Sequence, residues 1–339
     1  MQSLALKYRP KEFSDLCEQE SIVKILTNQI ETNTIKHGYL FVGPAGCGKT
    51  TSARIFANMI NKGAGQPIEL DAASNNGVDE IRNLIEQAQT KSLDSEYKVF
   101  IIDEVHMVTT QGFNAFLKTL EEPPAKSIFI LCTTNPEKIP ATILSRVQRY
   151  NFQKISTEGI IKRLKYILEQ EFRDATEWTW DNEAVEYIAK LAEGGMRDGI
   201  TLLDKCLSYS EELTVENVVK ALGVADYSTM LDITDSIVRC NDLEVIDTIN
   251  KLFNEGVDLK QFVKTYFEFI LDINMYDISQ SMDYIKIPKL YQEDIDRYDT
   301  KDMTMLLKML VNLQSDIKYE HNPKAVIIAK LMLFMEEVK

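Results

Sequence analysis

Histidine and cysteine are scarce in this sequence. Three histidines (His37, His106, His321) and five cysteines (Cys17, Cys47, Cys132, Cys206, Cys240) are scattered over 339 residues, and no two cysteines have C-x-x-C spacing. A structural zinc site needs such ligands in closely spaced pairs, so zinc is not expected. The thiols read as reduced core or loop residues of a cytosolic protein. Long apolar runs are lacking as well. No segment approaches the roughly 18 apolar residues that span a bilayer. The opening MQSLALKYRP has too short an apolar run for a secretory signal. The expected compartment is therefore the cytosol, with no membrane partner. Basic residues are in deficit, 38 against 52 acidic, for a net charge of −14. The field of the whole molecule repels nucleic acid, so any contact with it must be made by a local patch. Internal repeats and a low-complexity tail are also missing.

What is present is an ordinary globular composition, 45% hydrophobic and 27% charged. The chain is long for one core and implies two or three domains. Its first half alternates two patterns. Short apolar runs at YLFV (39–42), PIEL (67–70), KVFII (98–102), SIFILC (127–132) and RYNF (149–152) read as strands. Between them TTSARIFANMI (50–60), VDEIRNLIEQAQ (78–89) and GFNAFLKTLEE (112–122) read as helices. This alternation predicts an α/β domain with a parallel sheet covered on both faces. After residue 155 the strand signals fade. ISTEGIIKRLKYILEQEF (155–172) is amphipathic with Ser156 or Thr157 as N-cap, and DNEAVEYIAKLAEGG (181–195) ends in a glycine pair that suits a helix C-cap. ALGVAD (221–226) reads as a boundary, and everything from about 226 to 339 reads as helix, with Met and Phe stripes forming a helical core. The expected division is 1–154, 155–223 and 224–339. The alternative is one continuous helical domain after the sheet.

GPAGCGKT (43–50) matches G-x-x-x-x-G-K-[ST], the P-loop, and it lies between a strand and a helix as that motif requires. Pro44, Ala45, Gly46, Cys47 and Gly48, with Thr51 behind them, form the candidate cradle. Glycines let such a loop curl until its N–H groups point at phosphate oxygens, and the helix N-terminus adds positive dipole. Lys49 is expected at the β- and γ-phosphates and Thr50 on Mg²⁺. KVFIIDEVH (98–106) supplies the second half: a strand ending in Asp103–Glu104. Asp103 is placed to hold Mg²⁺, and Glu104 to orient and deprotonate an attacking water. His106 is expected to support the turn rather than to bind metal.

Three further residues carry two readings each. Thr134, in TTNPEKIP (133–140), either contacts the γ-phosphate or the water, or belongs to a polar strand-end turn. Arg197, in EGGMRDGI (193–200), sits at a helix start where the dipole disfavours it, so it either reaches an anion or pairs with Asp198 or Glu193. Arg146, in ILSRVQRY (143–150), is either a surface charge or aimed at something outside this chain.

Together, ELDAASNNGVDEIRNLIEQ (69–87), KVFIIDEVHMVTTQGFNAFLKTLEEPP (98–124) and TTNPEKIPATILSR (133–146) closely resemble the gamma/tau subunits of bacterial DNA polymerase III, AAA+ ATPases of the sliding-clamp loader. ALKYRPKEFSDL (5–16) and GGMRDGITLLDK (194–205) fit the same family, and NPKAVIIAKLML (322–333) resembles the last helix of its collar domain. The resemblance is strong to about residue 223 and looser beyond. It implies an AAA+ ATP-binding domain, a small helical lid and an all-α oligomerisation collar. It also implies ATP and Mg²⁺ as ligands. The implied partners are a sliding clamp, primer-template DNA and other loader subunits in a five-membered spiral, in the cytoplasm of a bacterial or phage-infected cell. By position, Arg146 corresponds to an arginine finger acting on ATP held by the neighbouring subunit, Thr134 to sensor 1 and Arg197 to sensor 2. Ala5, Arg9, Pro10 and Cys17 fall where the family encloses adenine. Asn75, Asn76, Arg82 and Thr110 fall where clamp loaders touch the template backbone. Two departures stand out: only NKGAGQ (61–66) occupies the place of the family's four-cysteine zinc module, and no tau extension is expected beyond residue 339. The rival readings are another AAA+ machine, such as a branch-migration motor or a protein unfoldase, and a scaffold subunit with a silent site. DAASNNG stands where an unfoldase would carry an aromatic pore loop.

Overall fold

The computed structural model describes residues 2–92, 94–173, 178–222 and 227–338. It divides into two compact units, Met1–Ala175 with Ala192–Asp204, and Thr176–Leu191 with Lys205–Lys339. The expected boundary at 223/224 lies outside the described residues.

In the first unit α1 (Leu4–Lys7) and α2 (Glu20–Glu31) precede an alternating series. It runs β1 (Gly38–Val42), α3 (Lys49–Ile60), β2 (Ile68–Asp71), α4 (Val78–Gln89), β3 (Lys98–Asp103), α5 (Thr110–Glu121), β4 (Ser127–Thr133), α6 (Ala141–Leu144), β5 (Gln148–Asn151) and α7 (Thr157–Glu171). All five expected strands are present within a residue or two, and all pair in parallel in the order β2-β3-β4-β1-β5. Alternate side chains separate two cores. Tyr39, Phe41, Val99, Ile101, Ile128 and Ile130 pack on the face covered by α2 and α3, whereas Leu40, Val42, Phe100, Ile102, Phe129 and Leu131 pack on the face of α4 and α5. Burial on both faces explains why these strands read as unbroken apolar runs rather than as alternating patterns.

Next in the chain come β6 (Thr179–Trp180), α8 (Asn182–Leu191) and α9 (Met196–Tyr209), whose first turns belong to the first unit. β7 (Glu212–Leu213), α10 (Val215–Leu222), α11 (Tyr227–Val238), α12 (Asp242–Asn254), α13 (Leu259–Ser279), α14 (Gln292–Ile295), α15 (Thr300–Ile317) and α16 (Pro323–Val338) follow. The parallel pair β6–β7 departs from the helical expectation. Its strands are two residues long, too short to leave a period in the sequence. In the second unit α13 buries Leu259, Phe262, Val263, Tyr266, Phe269, Ile270 and Ile273, the i, i+3, i+4, i+7 stripe of an amphipathic helix, and packs on α15. Asp258 caps it by accepting from the N–H groups of Lys260 and Gln261.

Candidate nucleotide site

The P-loop leaves the C-terminal end of β1 and opens α3. Gly46 and Gly48 have φ of +70° and +98°, in the left-handed region that side-chain-bearing residues seldom occupy. A Cβ on Gly43 would lie 2.6 Å from the Phe152 carbonyl oxygen, and one on Gly46 would lie 2.9 Å from the Gly195 Cα. The loop is therefore packed against other backbone. Its Gly43 N–H donates to the Thr133 carbonyl at the end of β4 (3.2 Å), and its Gly46 carbonyl accepts the Met196 N–H at the start of α9 (3.0 Å). The Cys47 thiol donates to the Pro44 carbonyl at 3.0 Å. Burial raises its pKa against the pull of Lys49, so it stays a neutral donor. Lys49 is 6% exposed, and its ammonium donates to the carbonyls of Gly43 (2.9 Å) and Pro44 (2.6 Å) inside the curl. Ala45 is exposed, and Pro44, Thr50 and Thr51 are half-buried.

Strands β1, β3 and β4 are neighbours, so their C-terminal ends bring three motifs to one edge of the sheet, where ligands of open α/β sheets bind. The Thr50 hydroxyl donates to Asp103 Oδ2 at 2.7 Å, which sets two hard oxygen donors side by side. That pair suits Mg²⁺, and the curled, glycine-dependent loop beside it suits phosphate oxygens. Glu104 stands next in the chain with φ +47° and ψ +42°, left-handed for a residue with a long side chain. Its amide donates to Asp103 Oδ1 (3.0 Å), and its carboxylate accepts the Thr134 hydroxyl at 3.2 Å. Thr134 is thus joined to the acidic pair instead of serving only the turn that follows β4. His106, expected to support the turn, lies within it. Its Nδ1 lies 3.2 Å from Glu104 Oε2 and 3.2 Å from Thr133 Oγ1.

The N-terminal segment closes another side. Leu16 reaches within 3.7 Å of a Cβ built on Gly48. Lys7 and Tyr8 hydrogen-bond Glu171 of α7, Arg163 Nη2 donates to the Tyr8 carbonyl at 2.9 Å, and the Leu4 N–H donates to Asp204 Oδ2 at 3.1 Å. Ala5, Arg9, Pro10 and Cys17, all half-buried, belong to this strapped segment. Burial raises the Cys17 thiol pKa. Arg197 is exposed in the first turn of α9, while neighbouring Asp198 folds its Oδ2 back to 3.3 Å from the Gly46 Cβ position.

Arg146 is not part of this cluster. Its carbonyl lies 3.3 Å from the Cβ position of Gly38, at the N-terminal end of β1, whereas the P-loop leaves the C-terminal end. A five-residue strand spans roughly 16 Å, more than an arginine side chain reaches. The guanidinium instead pairs with Glu121 at the end of α5 and donates to the Thr142 carbonyl (2.6 Å) and Ser145 Oγ (3.0 Å). Asn75, Asn76 and Thr110 are exposed near the N-termini of α4 and α5, which the bond from the Thr109 N–H to the Asn76 carbonyl (3.1 Å) holds together. Arg82, one turn into α4, pairs with Asp79 at 3.1 Å.

Three family models match consecutive stretches: "DNA polymerase III, delta subunit" at residues 63–156, "DNA polymerase III clamp loader subunit, ATPase lid domain" at 159–212, and "DNA polymerase III subunits gamma and tau domain III" at 213–333. DNA polymerase III subunit tau of Bacillus subtilis is 34% identical over 95% of this chain. The chain belongs to the gamma/tau family of DNA polymerase III clamp-loader subunits. It is also 34% identical, over 80% of its length, to the gamma/tau subunit of Mycoplasma genitalium. It spans 61% and 48% of those two relatives. Among solved structures, the RuvB Holliday junction branch migration motor of Thermotoga maritima superposes with a TM-score of 0.53 at 18% identity, covering 68% of this chain and 79% of that one. At that identity the likeness shows a shared AAA+ fold alone. Among the described residues, no helix is long and apolar enough to cross a membrane.

Sequence reasoning missed the two partners that hold the polar groups: Glu121 for Arg146 and His106 for Glu104. For the histidine a signal existed, since Glu104 and His106 are two residues apart in DEVH, where Glu104 caps a single 3₁₀ turn (Val105–Met107) that contains His106.

Proposed function

We propose that this chain is an ATP-hydrolysing motor subunit that opens a sliding clamp and loads it onto primer-template DNA. The observation that carries the reading is the separation of two half-sites on one chain. Lys49, Thr50, Asp103, Glu104 and Thr134 gather at one edge of the sheet, and Arg146 stands at the other. Within its own site, loop N–H groups and Lys49 bind phosphate oxygens, and Thr50 with Asp103 would hold Mg²⁺. That ion, when bound, neutralises charge on the phosphates. Glu104 orients a water and takes its proton, Thr134 fixes the carboxylate, and Arg197 reaches the nucleotide from α9. Ala5, Arg9, Pro10 and Cys17 enclose the base. Arg146 serves the next subunit's nucleotide, so adjacent copies complete one another.

The spans 1–154, 155–223 and 224–339 act as ATP-binding domain, lid and collar, and subunits assemble as a five-membered spiral with a clamp and partner loader subunits. Asn75, Asn76, Arg82 and Thr110 meet the template backbone. Amides, hydroxyls and helix N-termini bind phosphates without a lysine cluster, which suits a chain of net charge −14. A trans arginine contributes 10³–10⁵-fold in GTPases, or roughly 4–7 kcal/mol of barrier. In the assembled complex, Arg146→Ala is expected to abolish most clamp- and DNA-stimulated ATP hydrolysis, with Lys49→Ala as the silent control. Unchanged turnover for Arg146→Ala, or a closed six-membered ring by mass measurement, overturns the reading.

A further inference from the structure

We propose that His106 is a positioning residue for Glu104, donating a hydrogen bond from Nδ1 to the carboxylate that acts on water. This rests on the role given to Glu104 above. Three observations converge. First, Glu104 occupies the left-handed region, which disfavours a residue with a side chain, so its backbone is held by its surroundings rather than by its own preference. Second, a single carboxylate oxygen, Oε2, lies 3.2 Å from both neighbours: it accepts the Thr134 hydroxyl from the end of β4, and His106 Nδ1 of the 3₁₀ turn stands at ion-pair distance. Third, the imidazole is enclosed, its side chain 12% exposed against 34% for Glu104.

The chemistry of the contacts selects one tautomer. A carboxylate accepts only, so the nitrogen facing Glu104 must carry hydrogen. Nδ1 also lies 3.2 Å from Thr133 Oγ1, which already accepts the Asn135 N–H at 3.0 Å. Nδ1 hydrogen-bonds Thr133 Oγ1 and stands at the same 3.2 Å from Glu104 Oε2, so an Nδ1–H placed between them is the donor proposed for the carboxylate. The 3₁₀ turn that carries the ring is pinned by bonds from the Met107 N–H to the Glu104 carbonyl (2.9 Å) and from the Val108 N–H to the Val105 carbonyl (3.1 Å). The ring is therefore a fixed donor. It holds Oε2 with Thr134 and leaves Oε1 to face the water.

Three substitutions discriminate this from simple support of the turn. The amide nitrogen of asparagine can take the place of Nδ1, and that of glutamine falls near Nε2. His106→Asn is expected to keep kcat for ATP within about threefold of the wild type, while His106→Gln and His106→Leu lose tenfold or more, with nucleotide Kd unchanged in all three. Equal kcat for the asparagine and glutamine variants, or wild-type kcat for the leucine variant, overturns the proposal. A readout that needs no turnover accompanies it. ¹⁵N-resolved imidazole spectra of the full chain should show His106 protonated at Nδ1, with a resonance that moves in Glu104→Ala. Protonation at Nε2 alone, or a resonance indifferent to Glu104, refutes the hydrogen bond even if ATP is never hydrolysed. Loss of Lys49-dependent hydrolysis by the wild type with the spectrum as expected instead sinks the function proposed for the chain.

Discussion

At the scale of single residues, the P-loop glycines are restrained by conformation and by space together. Gly46 has φ +70° and its missing Cβ would press on the Gly195 backbone at 2.9 Å. Gly46→Ala should therefore cost on the order of 1–2 kcal/mol from the left-handed conformation alone. Thermal unfolding is expected to show the loss, and nucleotide titration a weakened Kd. Arg146 illustrates the opposite case. Its pair with Glu121 is 31% and 49% exposed, and such pairs contribute about 0–1 kcal/mol. Arg146→Ala is thus expected to leave the unfolding midpoint of the isolated chain almost unchanged. A large drop in that midpoint would mean that the residue serves the fold rather than a neighbour.

At the scale of elements, the parallel sheet was legible because its central strands β1, β3 and β4 are apolar runs closed by Gly, Asp or Thr. The helices α3, α4 and α5 were legible from their periodicity. What could not be read were features made by partners distant in sequence. Gln19 begins α2 in a left-handed conformation and is locked by hydrogen bonds to the Gln153 backbone (2.8 and 3.2 Å), which nothing in its neighbourhood signals. Within the site, Lys49, Thr50, Asp103 and Glu104 were visible through motif spacing. The contacts of His106 and Arg146 depend on how the ends of β3, α5 and β5 are aimed.

Helix α13 carries a titration of its own. Burial pushes the Asp272 carboxyl up to about 6, although it accepts the Lys286 N–H at 2.8 Å. The unfolded chain releases this proton near its ordinary 3.8. Between those values the folded state holds a proton that the unfolded state has lost, so this group's contribution to stability falls as pH rises through that window and stays low above it. In urea unfolding, Asp272→Asn should gain on the wild type between pH 4.5 and pH 7.5. A constant difference between the two pH values would count against this account.

At the scale of the whole molecule, the proposed role of Arg146 in a neighbour's site predicts that the chain alone is a poor ATPase. Mixing Lys49→Ala subunits with Arg146→Ala subunits should recover part of the activity that either lacks in its own assembly, because some interfaces then pair an intact P-loop with an intact finger. Steady-state hydrolysis across mixing ratios checks this, and no recovery at any ratio would rule out action in trans. The bond between the Gly46 carbonyl and the Met196 N–H has a consequence in time as well as in space. Its two ends lie roughly 150 residues apart, a separation that makes closure a late event in folding. On a ribosome, the phosphate loop emerges early but waits for the start of α9 before its final backbone partner exists. A nascent chain halted after the sheet would hold all of GPAGCGKT and still lack a finished nucleotide pocket.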